Sequence, residues 1–231
     1  MAALRNLARF GLATALLLVI TVGKSEQQSD LPAGMGARAN VDRPKPTFML
    51  HERDKRVHGL KPFQDIIDRA EPGAIIKPPP GAYSGPVVIN KPLTIDGDGK
   101  VSIDAGDRGT VMVLNASNSV IRGLRLTGSG DSHDTDDSCL DVRGDRNTIE
   151  NLEIDNCLFG LDFKQSNNNT IRGNSIRWNG ATWPDTLSLG GGLYCCHGII
   201  EGNLIEKNKA RHGGGLTHCG AQIRRNRILE N

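Results

Sequence analysis

The sequence predicts an all-β fold: a parallel β-helix with three short strands per coil and a capping helix at its N-terminal end. Aromatic residues make up only 4% of the 231 residues while glycine occurs 28 times, so the core must be built from Val, Ile and Leu on short strands joined by tight turns. Ile121, Ile149, Ile171, Ile200 and Ile223 are each followed five residues later by Leu126, Ile154, Ile176, Ile205 and Ile228. That constant interval marks one repeated strand, turn and strand. A third series, Leu140, Leu161, Leu193 and Leu216, falls between successive copies, giving coils of 28, 22, 29 and 23 residues.

A unit of this size with no helix cannot bury its own apolar face, but stacked copies share one continuous interior. Successive coils then lie about 4.8 Å apart, and equivalent positions become vertical ladders. Asn174, Asn203 and Asn226 recur two residues before the second strand residue, where a side-chain amide can satisfy turn backbone and its neighbours above and below. Leucine-rich repeats need Leu-x-x-Leu-x-Leu spacing and propellers need about 40 residues per blade. Neither pattern is present.

In chain order, residues 1–23 read as a signal peptide: Arg5 and Arg9 precede a 13-residue apolar run from Phe10 to Val22, short for a membrane span. Residues 24–56 are rich in Pro, Gly, Gln and Ser without an apolar period, a flexible linker. The folded domain occupies 57–231. Phe63, Ile66, Ile67 and Ala70 at helical spacing, between Lys61-Pro62 and Pro72-Gly73, predict a helix over 62–70 that covers the first coil. Short apolar pieces at 75–76, 87–89, 93–95, 101–103 and 111–114 are early strands. The chain stops at Asn231 directly after a strand, so the last coil is expected either to associate edge to edge with a partner or to end a truncated reading frame.

Removing residues 1–23 deletes two of the 28 basic residues and no acidic ones, leaving 26 against 26. The mature chain thus has no global basic field for nucleic acid and no remaining membrane span.

The interval from second to third strand varies, as 14, 7, 17 and 11 residues in successive coils, while the others hold. Insertions at one corner of a stacked coil project side by side, and a row of loops on a rigid scaffold is where ligand contacts are expected. The first loop carries Asp131, His133, Asp134, Asp136 and Asp137. His133, Asp131 and Asp134 are candidate acid–base residues, and Asp134, Asp136 and Asp137 are candidate ligands for calcium. The third loop holds Trp178, Trp183 and Asp185, and the fourth Lys207, Lys209, Arg211 and His212. Trp178, Trp183, Asp185, Lys207, Arg211 and His212 are candidate substrate contacts, the tryptophans by stacking on sugar rings. The competing reading is that these loops are solvated turns and faces.

The five cysteines, Cys139, Cys157, Cys195, Cys196 and Cys219, permit at most two disulfides and leave one thiol over. Laying GGGLYCCHG on GGGLTHCGA places Cys196 over Cys219 and Cys195 over His218. A stacked pair, a disulfide, or with His197 and His212 a copper or zinc site are all open, against small residues buried in a ladder.

Over GDSHDTDDSCLDV (130–142) and NTIENLEIDNCLFGLDFKQSNNNTIRGNSI (147–176) the chain resembles the NosD-type, or CASH-domain, β-helix proteins, and PGAYSGPVVINKPLTIDGDG (80–99) is similar to their first coils. The resemblance covers about residues 60–176. It implies a single-stranded right-handed parallel β-helix that is periplasmic or secreted. The group includes maturation factors for the copper enzyme nitrous oxide reductase and many carbohydrate-binding or carbohydrate-modifying relatives. DSHD at 131–134 is also similar to the DPHD motif of alginate C5-epimerases, with Ser132 in place of proline, and implies a proton-transfer role for His133.

Together these readings predict an exported, non-catalytic β-helix repeat protein, either glycan-binding or a NosD-like periplasmic accessory whose partner is another periplasmic protein. A polysaccharide lyase or C5-epimerase acting on a uronate polymer is the enzymatic alternative, and a structural or adhesive surface repeat is the third.

Overall fold

A computed structural model describes residues 57–164, 166–180 and 189–231. The signal peptide and linker assigned to 1–23 and 24–56 lie outside the described residues. The chain enters through a short strand β1 (Lys61–Pro62) and the helix α1 (Gln64–Arg69), followed by β2 (Ile75–Ile76), β3 (Gly81–Ser84) and β4 (Val87–Ile89). Two long bent strands come next, β5 (Thr94–Asp104) and β7 (Val120–Thr127), alternating with β6 (Met112–Leu114) and β8 (Ser138–Val142). From there each coil has three separate strands: β9 (Thr148–Glu150), β10 (Glu153–Asp155) and β11 (Phe159–Asp162), then β12 (Asn169–Arg172), β13 (Ser175–Arg177) and β14 (Leu193–Tyr194). The last coils are β15 (Gly198–Glu201), β16 (Leu204–Glu206) and β17 (Leu216–Thr217), then β18 (Gln222–Arg224) and β19 (Arg227–Leu229).

All strand pairs among the described residues are parallel and stack into three faces. The first carries β9, β12, β15 and β18, and the second β10, β13, β16 and β19; the two meet in β7. The third runs β4, β6, β8, β11, β14 and β17. The counted series are in register: Ile121 pairs with Ile149, Ile149 with Ile171, Ile171 with Ile200 and Ile200 with Ile223. Leu126, Ile154, Ile176, Ile205 and Ile228 form the second ladder, and Leu140, Leu161, Leu193 and Leu216 the third. These residues line the interior, with Ile121, Ile149, Ile171, Leu161 and Leu193 fully buried.

The five-residue interval has a backbone cause. The second residue after each first-ladder isoleucine adopts the left-handed conformation: Gly123, Asn151, Gly173, Gly202 and Arg225. Glycine and asparagine enter that region most readily, which accounts for their recurrence here. The same offset after the second ladder gives Gly128, Asn156, Trp178, Lys207 and Glu230.

Asparagine ladders seal two of the corners. Asn203 Oδ1 accepts from Asn174 N and Nδ2, both at 2.9 Å, while Asn203 Nδ2 donates to Ile171 O at 3.0 Å and to Asn226 Oδ1 at 2.9 Å. This is the Asn174, Asn203 and Asn226 series expected from the spacing. A second one, Asn179, Asn208 and Asn231, repeats the pattern at the corner where the long loops begin. Its members stand three residues after Ile176, Ile205 and Ile228, with the same spacing as the first series, so the sequence carries this ladder too.

The helix is shorter than the predicted 62–70. Lys61 and Pro62 pair as a strand with Tyr83 and Ser84, and Phe63 N–H donates to Ser84 O at 3.0 Å, so the extended backbone persists to that point. The Gln64 side chain then latches the helix to Val88, accepting from its N–H at 2.7 Å. Phe63 and Ile67 are buried against the first coil, as a cap requires. The pieces at 93–95 and 101–103 are joined within β5, which bends at an irregularity between Asp96 and Val101. Among the described residues, no helix is long and apolar enough to cross a membrane.

Candidate functional site

The outward ladders of the first and third faces differ in charge. On the first, Asp96, Arg122, Glu150, Arg172, Glu201 and Arg224 stand in register and neutralise one another. Arg122 reaches Asp96 at 2.8 Å, Arg172 reaches Glu150 at 2.6 Å and Arg224 reaches Glu201 at 2.9 Å. On the third face the column beside the leucine ladder reads Val113, Asp141, Asp162, Tyr194 and Thr217. Two carboxylates on adjacent rungs repel, so a sheet built for stability alone pairs opposite signs there, as the first face does.

Asp141 and Asp162 lie in a groove of about 240 Å³ with Thr135, Asp136, Arg143 and Lys164. This is smaller than the roughly 300–1,000 Å³ of a small-molecule pocket. Arg143 binds Asp141 at 2.7 Å. Asp162 is only 4% exposed, accepts from Lys164 N–H at 3.0 Å and has the Lys164 ammonium 4.0 Å away. Burial pushes its pKa up to about 6, with smaller additions from Asp141 and Asp136, and the Lys164 N–H and charge only partly offset this. Asp162 can therefore carry a proton near neutral pH. The Lys164 ammonium is disfavoured by burial, yet its hydrogen bond to Asp136 and the two neighbouring carboxylates outweigh this and raise its pKa.

Beside the charges runs a chain of rings from four successive coils. His133 meets Phe159 edge-on at 5.8 Å, Phe159 stacks on Tyr194 at 5.6 Å, and Tyr194 meets the exposed His218 edge-on at 5.7 Å. Lys164 Nζ stands 5.1 Å from the Tyr194 ring centre, and burial followed by a hydrogen bond with Cys195 raises the Tyr194 phenol. His133 Nε2 is shielded from solvent with no hydrogen-bond partner among the described residues.

The loop over 128–138 forms the wall on one side. Asp137 holds it, accepting from Ser132 N–H at 3.1 Å and from the Thr135 hydroxyl at 2.8 Å. Gly130 passes so close that a Cβ there would lie 2.0 Å from Asp137 Oδ2. A disulfide joins Cys139, in β8, to Cys157, just before β11.

The structure thus redistributes the expected site. Of the acid–base candidates, His133 reaches the ring chain, while Asp131 and Asp134 are exposed on the loop. The three proposed calcium ligands are spent separately: Asp136 goes to Lys164, Asp137 fastens its own loop, and Asp134 faces solvent. Among the described residues no three His, Cys, Asp or Glu side chains converge to hold a metal, which holds for the Cys195, Cys196, Cys219 and histidine group as well.

Trp178, 55% exposed, lies at a left-handed corner under the Arg177 guanidinium. Lys207 occupies the equivalent corner one coil on and pairs with Glu206 at 3.6 Å. Neither lines the groove, nor do the exposed Arg211 and His212. Trp183 and Asp185 lie outside the described residues. The described ends of the third loop are bridged to the fourth, Gly180 with Lys209 and Leu189 with His212.

Asp141, Arg143, Asp162, Lys164 and Tyr194 escaped the loop-centred reading because they sit in strands or at strand ends. Each strand member directly follows a ladder leucine, and reading that outward position down the column shows two like charges on adjacent rungs. A larger cavity of about 850 Å³ lies between the capping helix and the 79–83 strand region. Its walls are mostly prolines, glycines and the helix flank, and it gathers no comparable acid–base set.

Residues 109–231 match the family model described as the right handed beta helix region. Fold and match agree, and the chain belongs to that family. No curated protein and no solved structure gives a significant match.

Proposed function

We propose that this is an exported β-helix protein whose third face binds an extended polysaccharide. The observation that carries the reading is the strip itself. Rings from four coils, with Phe159 buried and Tyr194 and His218 reaching the surface, run beside the three carboxyls and two cations of the groove. Sugars are held by ring faces against their apolar sides and by charged groups against their hydroxyls or carboxylates. Export to the periplasm or beyond is supported by the pattern of residues 1–23 and by the Cys139–Cys157 disulfide, a bond of oxidising compartments.

The test is calorimetric titration of the mature chain with neutral and uronate-containing polymers. Binding is expected, weakened about tenfold in Tyr194→Ala, the scale of one aromatic contact. It should be unchanged in Trp178→Ala, which lies off the groove. Failure of every polymer to bind, or equal affinity in Tyr194→Ala, removes the proposal. A NosD-like accessory role puts a partner protein on the same strip, and an inert glycan panel favours it.

A second reading, a lyase or C5-epimerase on a uronate polymer, is favoured by one observation: Asp162 keeps a proton near pH 6 beside Lys164 and Tyr194. Such chemistry removes the proton at the sugar C5, and a group poised near the working pH is suited to proton transfer. Absorbance of the unsaturated product on incubation with pectate or alginate tests the lyase. Activity lost in Asp162→Asn and kept in His133→Ala would place the chemistry in the groove and not in the DSHD segment.

A further inference from the structure

Two cysteines outside the groove share a geometry that the glycan reading does not use. Leu193 pairs with Leu216 and Tyr194 with Thr217. In both coils the next residue, Cys195 or His218, takes the left-handed conformation. The same turn, made twice, sets Cys196 over Cys219. Neighbouring rungs lie about 4.8 Å apart, within the roughly 4.4–6.8 Å Cα separation that a disulfide spans. The environments differ: Cys196 is fully buried, whereas Cys219 is half-buried at the surface. Cys196 Sγ donates to Tyr194 O at 3.6 Å and Cys219 Sγ to Thr217 O at 3.4 Å, and both remain thiols.

We propose that Cys196 and Cys219 form a thiol–disulfide exchange site that takes a disulfide of a small thiol or of another protein as co-substrate. Cys219 is the attacking group and Cys196 the resolving one. The neighbouring Cys196 thiol, with help from backbone, brings the Cys219 thiol down to about 7 although burial opposes it, while burial holds Cys196 far above its ordinary value. Cys219 thiolate attacks one sulfur of the co-substrate, RSSR, forming a mixed disulfide and expelling RS⁻. Cys196 then loses its proton and attacks Cys219 Sγ, forming the intramolecular bond and expelling the second RS⁻. Two electrons pass from the cysteine pair to the co-substrate, and with the two protons released the products are one protein disulfide and two RSH. The bond formed fastens the coil ending in β14 to the coil ending in β17.

The test treats the full chain with oxidised glutathione, followed by alkylation, tryptic digestion and mass spectrometry. Lys207, Lys209 and Arg211 lie between the two cysteines, so trypsin separates their peptides. The expected result is a cross-link between those peptides that persists in Cys195→Ser, which removes the other cysteine of the Cys196 peptide. In Cys196→Ser the second step is blocked, and glutathione should accumulate on Cys219 at about ten times the wild-type occupancy. A cross-link abolished by Cys195→Ser, glutathione retained equally on wild-type Cys219, or no reaction at all would overturn the proposal. Wild-type absorbance of the thiolate is a check independent of the variants: a transition near pH 7 is expected, and its absence counts against Cys219 as the attacking group.

Discussion

Asp162→Asn offers a measurement whose sign and size both follow from the groove. The folded protein holds the Asp162 proton to a pKa of about 6, against an ordinary 3.8. The group is 4% exposed, so solvent screening is slight. The difference between those two values corresponds to about 3 kcal/mol. Because the folded-state value is raised, the native state binds this proton more tightly than the unfolded chain does. The resulting stabilisation is complete below about pH 3.8, declines as pH rises, and is gone above about 6. At neutral pH the native state therefore carries a buried charge that costs about 3 kcal/mol relative to an unperturbed aspartate. Asparagine has no proton to lose, and its Oδ1 can still accept from Lys164 N–H.

Urea denaturation at pH 4, 5, 6 and 7.5 should show the variant gaining on the wild type through this window, by up to about 3 kcal/mol at the upper end. A difference that stays constant from pH 4 to 7.5, or one that moves in favour of the wild type as pH rises, would mean that burial does not hold the proton on Asp162. The proton-carrying role of the groove would fall with it.

Two further outcomes test the scaffold. Asn203→Ala removes four hydrogen bonds, among them those to the Asn174 N–H and the Ile171 carbonyl; at about 1 kcal/mol each it should cost about 4 kcal/mol in chemical denaturation, and a loss below about 1 kcal/mol contradicts a cooperative ladder. Breaking the Cys139–Cys157 bond in a Cys139→Ser/Cys157→Ser double variant opens an 18-residue closure and should cost about 3 kcal/mol. Hydrogen exchange should then quicken first across 128–138, and unchanged protection there would show that the bond does not hold the groove wall.

The interior is readable from the sequence because a shared core imposes one apolar type at one position per coil. Ile149, Ile171 and Ile200 sit in register for the same reason that they can be counted. The left-handed corners leave a weaker trace, as Gly or Asn at most of them but Trp178, Lys207 and Arg225 at others, since any residue can be forced there when the coils on either side fix the turn. The groove leaves almost none. Asp141 and Asp162 are ordinary aspartates in the chain, 21 residues apart, and become unusual only once stacking makes them vertical neighbours and burial strips water from one of them. The aspartate-rich loop stands out by its composition, yet it serves chiefly as a wall, held by Asp137 and tied to the next coil through Lys164.

The Asn179, Asn208 and Asn231 ladder stands where successive loops leave the second face. It satisfies the backbone at the roots of the third and fourth excursions, whatever their length. A segment inserted beyond either root neither shifts a rung below nor exposes an amide above, so recognition elements can be lengthened, shortened or exchanged while the shaft carrying them stays the same.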